Sequence, residues 1–281
     1  MADLPQGQRA QRQQGDFTHF GGDAALYDSS KPAYPEDLIT RIVAAMPGRD
    51  ILNVGCGTGI EARQFQAAGC TVLGVDPDAP MAEFARGTGV PVEVSTFETW
   101  PTADRRFDAV VSGTAWHWID PVAGVDKAAQ VLRPGGLLAP FHHAQHTPPE
   151  LADAVGGSLP AWTSRAADAY RRVAPHSPFD VDGRRRSSAE LYQPLFDEIA
   201  GRIRQSNRFS EPEQWRYGWE RTYSRDEWLE LLPTYGAIAK LPSEKLAEAL
   251  ETVRTVIDRM GGSFSLPYTT VAVVAVRTDT G

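Results

Sequence analysis

Cysteine is almost missing from this sequence: 281 residues hold two, Cys56 and Cys70. That is too few for a disulfide framework, and the pair lacks the spacing of a zinc site. A reducing, cytoplasmic setting is the expectation. Long apolar runs are also missing. The longest, Val271 to Val276, is far short of the roughly 20 residues that a spanning helix needs. Met1 to Asp16 carries five glutamines and lacks the apolar centre of a signal peptide, so no membrane role is expected. Basic charge is in short supply as well, with 28 Lys and Arg against 36 Asp and Glu for a net charge of −8. Nucleic acid and anionic membranes need a basic patch that displaces counterions, so neither is expected as a partner.

What is present is an ordinary globular composition, 42% hydrophobic and 23% charged. Residues 1–16 read as a disordered polar lead. From Pro35 the spacing of Leu38, Ile39, Ile42, Val43 and Met46 predicts a helix, with Pro35 at its start and Gly48 beyond its end. Short apolar stretches then alternate with helical ones: Ile51 to Val54, Thr71 to Val75, Val92 to Val94, Phe107 to Val111 and Leu137 to Phe141 are the strands. This rhythm predicts an α/β fold, doubly wound around a mainly parallel sheet. After Phe141 it breaks, and residues 144–210 read as an inserted helical cap. The core is then residues 17–143, beginning with an N-terminal lid, and 211–281. Ser224 to Glu227 carries a capping-box signature and Ser243 opens a further helix. The β-branched run Thr269 to Arg277 predicts a last strand covered on both faces, with Trp215 to Tyr223 as a candidate partner.

The strongest local signal is Asn53-Val54-Gly55-Cys56-Gly57-Thr58-Gly59, directly between a strand and a helix. Glycines let backbone approach a ligand where a Cβ would collide, and the helix start offers free N–H groups. The next strand ends in Asp76, where a carboxylate can accept both hydroxyls of a ribose. Together these point to a nucleoside-bearing cofactor. A dinucleotide fingerprint wants a third small residue where this chain has Ile60, which counts against a nicotinamide-dependent oxidoreductase.

These residues resemble the class I S-adenosylmethionine-dependent methyltransferases, specifically the bacterial small-molecule branch. The resemblance runs from Phe20 to Arg277 and weakens between His146 and Ser210. It implies a seven-stranded sheet whose final strand is antiparallel, and S-adenosylmethionine as cofactor. Gly55, Cys56, Gly57 and Gly59 resemble the loop under the methionine part; Asp76 resembles the ribose acid and is followed by Pro77. Ser95 to Pro101 resembles the segment bordering adenine, with Thr96 facing its amine and the Phe97 N–H a ring nitrogen. Asn53 stands where the family usually has an acid near the sulfonium and amino group, and Thr96 where it usually has aspartate. Both can still hydrogen-bond; a non-catalytic cofactor-binding homologue is the alternative they leave open. Tyr27, Lys31 to Pro35, Ala115 to Asp120 and Leu266 to Thr270 resemble largely uncharacterised bacterial members, and Tyr27 joins the cofactor candidates.

Displacement at a sulfonium needs alignment above all, and a general base only for an acceptor that must lose a proton. His117 between Trp116 and Trp118, and His142 and His143 after the fifth strand, are the candidate catalytic residues. His142, His143 and His146 lack a neighbouring carboxylate or cysteine, so no metal site is expected. The expected acceptor is a small, partly apolar organic molecule carrying a hydroxyl or nitrogen. Residues 17–34 and about 144–210 are expected to close over it.

Overall fold

The computed structural model describes residues 23–157, 188–235, 238 and 241–278. Its seven strands are β1 (Asp50–Val54), β2 (Thr71–Asp76), β3 (Val92–Val94), β4 (Phe107–Gly113), β5 (Leu132–Gln145), β6 (Glu213–Ser224) and β7 (Ser263–Val276). They form one sheet in the order β3-β2-β1-β4-β5-β7-β6. β1 to β5 are parallel, and β7 runs antiparallel between β5 and β6. The chain winds outward from β1 to one side through β2 and β3, then returns to wind the other way through β4 and β5. That reversal opens a crevice at the carboxyl ends of β1 and β4.

Nine helices flank the sheet among the described residues: α1 (Ala24–Ser30), α2 (Glu36–Ala45), α3 (Ile60–Ala67), α4 (Ala79–Gly87), α5 (Pro121–Val131), α6 (Pro149–Gly157), α7 (Ser188–Ser206), α8 (Arg225–Leu231) and α9 (Ser243–Arg259). Because alternate strand residues face opposite ways, Ile51, Ala109 and Leu137 pack on Leu38, Ile42 and Phe65 of α2 and α3. Leu52, Val110 and Leu138 pack on the other face against Val125 of α5 and Phe196 of α7. The Ser224–Glu227 capping box is present at the start of α8. Ser243 is the first residue of α9, which follows Pro242 and has no side-chain cap.

Two strands outrun their apolar signal. β5 continues through His142, His143, Ala144 and Gln145 because β7 supplies ladder partners from Val271 back to Tyr268, and β7 itself begins at Ser263. Its first half pairs with Trp219 to Ser224 of β6, making a ribbon on which Trp228, Val253 and Ile257 of α8 and α9 build a third apolar cluster. The expected disordered lead, and residues 17–22 of the expected lid, lie outside the described residues. So do residues 158–187 of the expected cap. α7, which closes that segment, packs against α5, β5 and β7, with Leu195, Phe196, Ile199 and Ile203 in the main core.

Candidate active site

The glycine loop owes its path to three left-handed residues, Gly55, Gly57 and Gly59, with φ of 65°, 53° and 86°. A Cβ at Gly55 would lie 2.5 Å from that of Ala115, so the loop presses close to the segment after β4. A Cβ at Gly57 would meet no protein atom within 4 Å; that glycine faces open space in the crevice. The Cys56 thiol turns inward and fills the hollow at Gly74, where a Cβ would lie 2.6 Å from its Sγ. Burial pushes its pKa well up, so it is no nucleophile.

Asp76 ends β2 with 7% of its surface exposed. Its Oδ2 accepts from the Gly57 N–H (2.7 Å) and its Oδ1 from the Asp78 N–H (2.8 Å), and each oxygen keeps lone-pair capacity for a further donor. Burial raises its pKa to about 6. Pro77 separates it from Asp78, whose side chain caps α4 through the Met81 N–H. The Ser95 N–H donates to the Asp76 carbonyl, bringing the next segment alongside. There Thr96 shares a 2.7 Å hydrogen bond with the Thr99 hydroxyl, and Phe97 is buried against Trp116.

An acid that sequence reasoning passed over stands beside Asn53. Glu61, in the first turn of α3, is 4% exposed and accepts from Asn53 Nδ2 at 3.0 Å. The Gly113 N–H is a second donor to it, and burial lifts its pKa to about 7. The signal was helical spacing: Glu61 lies four residues before Phe65, on the face that α3 turns to the core. Asn53 Oδ1, Thr58 Oγ1 and Ser112 Oγ, around the ends of β1 and β4, are buried without a protein partner. Unsatisfied polar atoms at the mouth of a glycine loop fit a polar ligand that completes them.

The candidate histidines divide between the faces of the sheet. His117 and His142 meet edge to face at 5.6 Å beside a small cavity also lined by Leu195, Phe196 and Ile199. His143, one residue along β5, turns the other way, stacks on Tyr34 at 4.2 Å and lies edge-on to Trp219 at 5.1 Å. Its Nδ1 is 2.8 Å from Thr270 Oγ1, which also accepts from Trp219 Nε1, and its Nε2 is buried without a partner. Tyr34 bonds Thr114 after β4 (2.8 Å), which ties this aromatic cluster to the segment after β4. Lys31 completes it, with Nζ 3.8 Å from the Tyr235 ring centre and 5.2 Å from that of Tyr27. Burial lowers the Lys31 pKa to about 7. Tyr27 lies near Glu61 and Asp76, whose charges add to burial in raising its pKa. The Asp28–Arg63 ion pair (2.7 Å) ties α1 to α3. No metal-binding group of His, Cys, Asp and Glu occurs among the described residues, and none of their helices is long and apolar enough to cross a membrane.

Burial lowers the His117 pKa to about 4, that of His143 to about 3 and that of His142 well below the ordinary value. The unfolded chain therefore takes up protons on falling below pH 6.5 while His117 stays neutral to about 4, so the folded state loses stability across that window. His117→Phe removes this linkage. In chemical denaturation its stability relative to the unaltered protein should improve by roughly 2 to 3 kcal/mol between pH 7.5 and 4.5; no pH dependence of that difference would show His117 to be solvated.

A sheet of this order and these strand directions, with a glycine loop after β1 and an acid after β2, defines the class I S-adenosylmethionine-dependent methyltransferase fold. The chain belongs to that family. The family described as "Methyltransferase domain" matches residues 52–139. An uncharacterized methyltransferase of Mycobacterium tuberculosis is 31% identical over 231 residues, covering 78% of this chain and 88% of the relative. A ubiquinone biosynthesis O-methyltransferase of Dinoroseobacter shibae is 32% identical over 120 residues, covering 36% of this chain and 48% of that protein. Among solved structures, a protein provisionally classed as a type II methyltransferase from Anaeromyxobacter dehalogenans shares the fold, with a TM-score of 0.58 at 20% identity over 87% of this chain and 97% of its own. The protein is thus a methyltransferase with S-adenosylmethionine as its methyl donor.

Proposed function

We propose that the protein methylates a hydroxyl or nitrogen of a small, partly apolar organic acceptor held against the aromatic cluster of Tyr34, His143, Trp219, Tyr268 and Lys31. In this reading the Gly55–Gly59 loop underlies the donor, Asp76 accepts from its ribose hydroxyls, and Thr96, the Phe97 N–H and Tyr27 border its adenine and methionine ends. S-adenosylmethionine supplies an electrophilic methyl group and leaves as a neutral thioether. The protein has to align the acceptor, exclude water and receive or release one proton. The observation that carries the reading is the partnerless Nε2 of His143, buried in an aromatic cluster beside Lys31. With the His143 proton on Nδ1, the Thr270 hydroxyl accepts from both Trp219 and His143, and in that tautomer the Nε2 lone pair is left for an acceptor proton. A base whose protonated form burial disfavours this strongly acts mainly by orienting that proton, while the Lys31 ammonium favours a weakly acidic acceptor.

The test is to incubate a small-molecule cell extract with the protein and methyl-labelled S-adenosylmethionine, and to identify the labelled product by mass. Label in a low-mass, neutral or weakly acidic compound supports the reading; label only in protein or nucleic acid contradicts it. With that acceptor, His143→Ala should lower turnover about 100-fold, the low end for a proton-handling group, with donor affinity unchanged. Because the His143 pKa falls to about 3, the unaltered enzyme should show no histidine limb near pH 6.5. A limb there that vanishes in His143→Ala would mean the ring is solvated and a true general base.

A further inference from the structure

We infer that Glu61 carries the carboxylate that binds the α-ammonium group of the methyl donor, a charge moved from strand β1 to the first turn of α3. The inference rests on the assignment of S-adenosylmethionine as donor and identifies the residue that reads its amino-acid end. The residue that lies in line with the glycine loop on β1 is Asn53, fully buried and neutral. Its Nδ2 is committed to Glu61 at 3.0 Å, and its Oδ1 is left without a partner. Glu61 therefore presents the negative charge at this point, at 4% exposure. Its other neighbours are neutral or acidic: the Glu61 and Gly113 N–H groups donate to it, the Asp76 charge acts on it, and its own charge reaches Tyr27 and Tyr34 of the N-terminal segment. A Cβ at Gly113 would fall 2.9 Å from its carboxyl carbon and 2.7 Å from the Tyr34 hydroxyl, so β4 must carry glycine there for this acid to reach the crevice.

A buried carboxylate with no cation among the described residues is unfavourable in the empty protein. Burial raises its pKa to about 7, from 4.5, so at pH 8 the folded state bears a charge it disfavours. That penalty disappears as pH falls below the unfolded value. Glutamine would keep one acceptor oxygen for the Asn53 Nδ2 donor without the charge. An ammonium ion entering between Glu61 and the free Asn53 Oδ1 would meet a charged and a neutral acceptor at once, satisfying both. Lys31 lies on the His143 side, where its charge acts on that ring, and it forms no ion pair with Glu61 among the described residues.

The test compares Glu61→Gln with the unaltered protein by calorimetric titration at pH 8. S-adenosylhomocysteine has the ammonium and no sulfonium; 5′-methylthioadenosine lacks the whole amino-acid end. The expected result is a loss of at least 10-fold in affinity for S-adenosylhomocysteine, with affinity for 5′-methylthioadenosine kept within twofold and the Tm of the ligand-free variant raised. An equal loss for both ligands would make Glu61 a structural support and overturn the proposal. Unchanged S-adenosylhomocysteine binding would overturn it too, as would a loss confined to S-adenosylmethionine, which would mark Glu61 as reading the sulfonium. If the unaltered protein binds 5′-methylthioadenosine but not S-adenosylhomocysteine, the donor assignment fails first, and the proposal with it.

Discussion

Gly57→Val is expected to abolish the thermal stabilisation that S-adenosylhomocysteine confers on the unaltered protein. The shift in the unaltered protein should grow with the logarithm of ligand concentration, since only the folded state binds. At Gly57 the backbone has φ 53° and the missing Cβ points where no protein atom lies within 4 Å. The Cβ of a valine there meets no protein atom within 4 Å, and its two methyl groups should extend into the space proposed for the donor. The left-handed conformation also strains a β-branched residue by about 1 to 3 kcal/mol, so the variant melts earlier. Gly69 separates strain from occlusion: it has φ 83° and equally open space, but lies in the turn before β2. Gly69→Val should lose comparable stability and keep the full ligand shift. Loss of the shift in both variants would show that strain alone removes binding.

Asp76→Ala is expected to weaken S-adenosylhomocysteine binding by about 1.5 to 3 kcal/mol, the range for hydrogen bonds to a charged group, or roughly 10- to 150-fold. Part of this loss comes from the Gly57 and Asp78 N–H groups, which the carboxylate also accepts from. Asp76→Asn keeps one acceptor oxygen and should lose less. The pH dependence has a definite sign. Burial holds the folded pKa at about 6, above the ordinary 3.8, so the empty protein gains stability from this group on acidification, fully by pH 3.8, and loses it as pH rises through 6. The charged carboxylate is the better partner for two ribose hydroxyls, so affinity should fall as pH drops below about 6. Asp76→Asn should abolish that fall. Affinity flat from pH 5 to 8 in the unaltered protein would place Asp76 away from the ribose.

The features legible in the sequence are those with local causes. The parallel core follows from short β-branched runs between helical stretches, and the glycine loop and Asp76 sit at strand ends that those runs define. The covered last strand was legible in the run Val271 to Val276, whereas its antiparallel direction came from the family resemblance. Trp215 to Tyr223 stood only as a candidate partner, a place that the ladder of β6 with β7 fills. Glu61 escaped notice because a charged residue on an apolar helix face reads as a flaw in the pattern until Asn53 is seen beside it. The histidines looked like one cluster in sequence, yet the two-residue period of β5 sends His142 toward α7 and His143 toward Tyr34. That separation depends on β5 continuing past Phe141, and only β7, more than a hundred residues later, holds it in the sheet. Lys31 likewise meets its ring partner in Tyr235, two hundred positions away.

The most direct measurement is a calorimetric titration of the folded protein with S-adenosylhomocysteine and, separately, with NAD. One equivalent of S-adenosylhomocysteine should bind, with affinity lost in Gly57→Val and reduced in Asp76→Ala, while NAD should give no heat of binding, since Ile60 stands where a dinucleotide fingerprint wants a third small residue. Binding of NAD, or no binding of S-adenosylhomocysteine at millimolar concentration, would contradict the assignment of the crevice at the ends of β1 and β4 as a methyl-donor site.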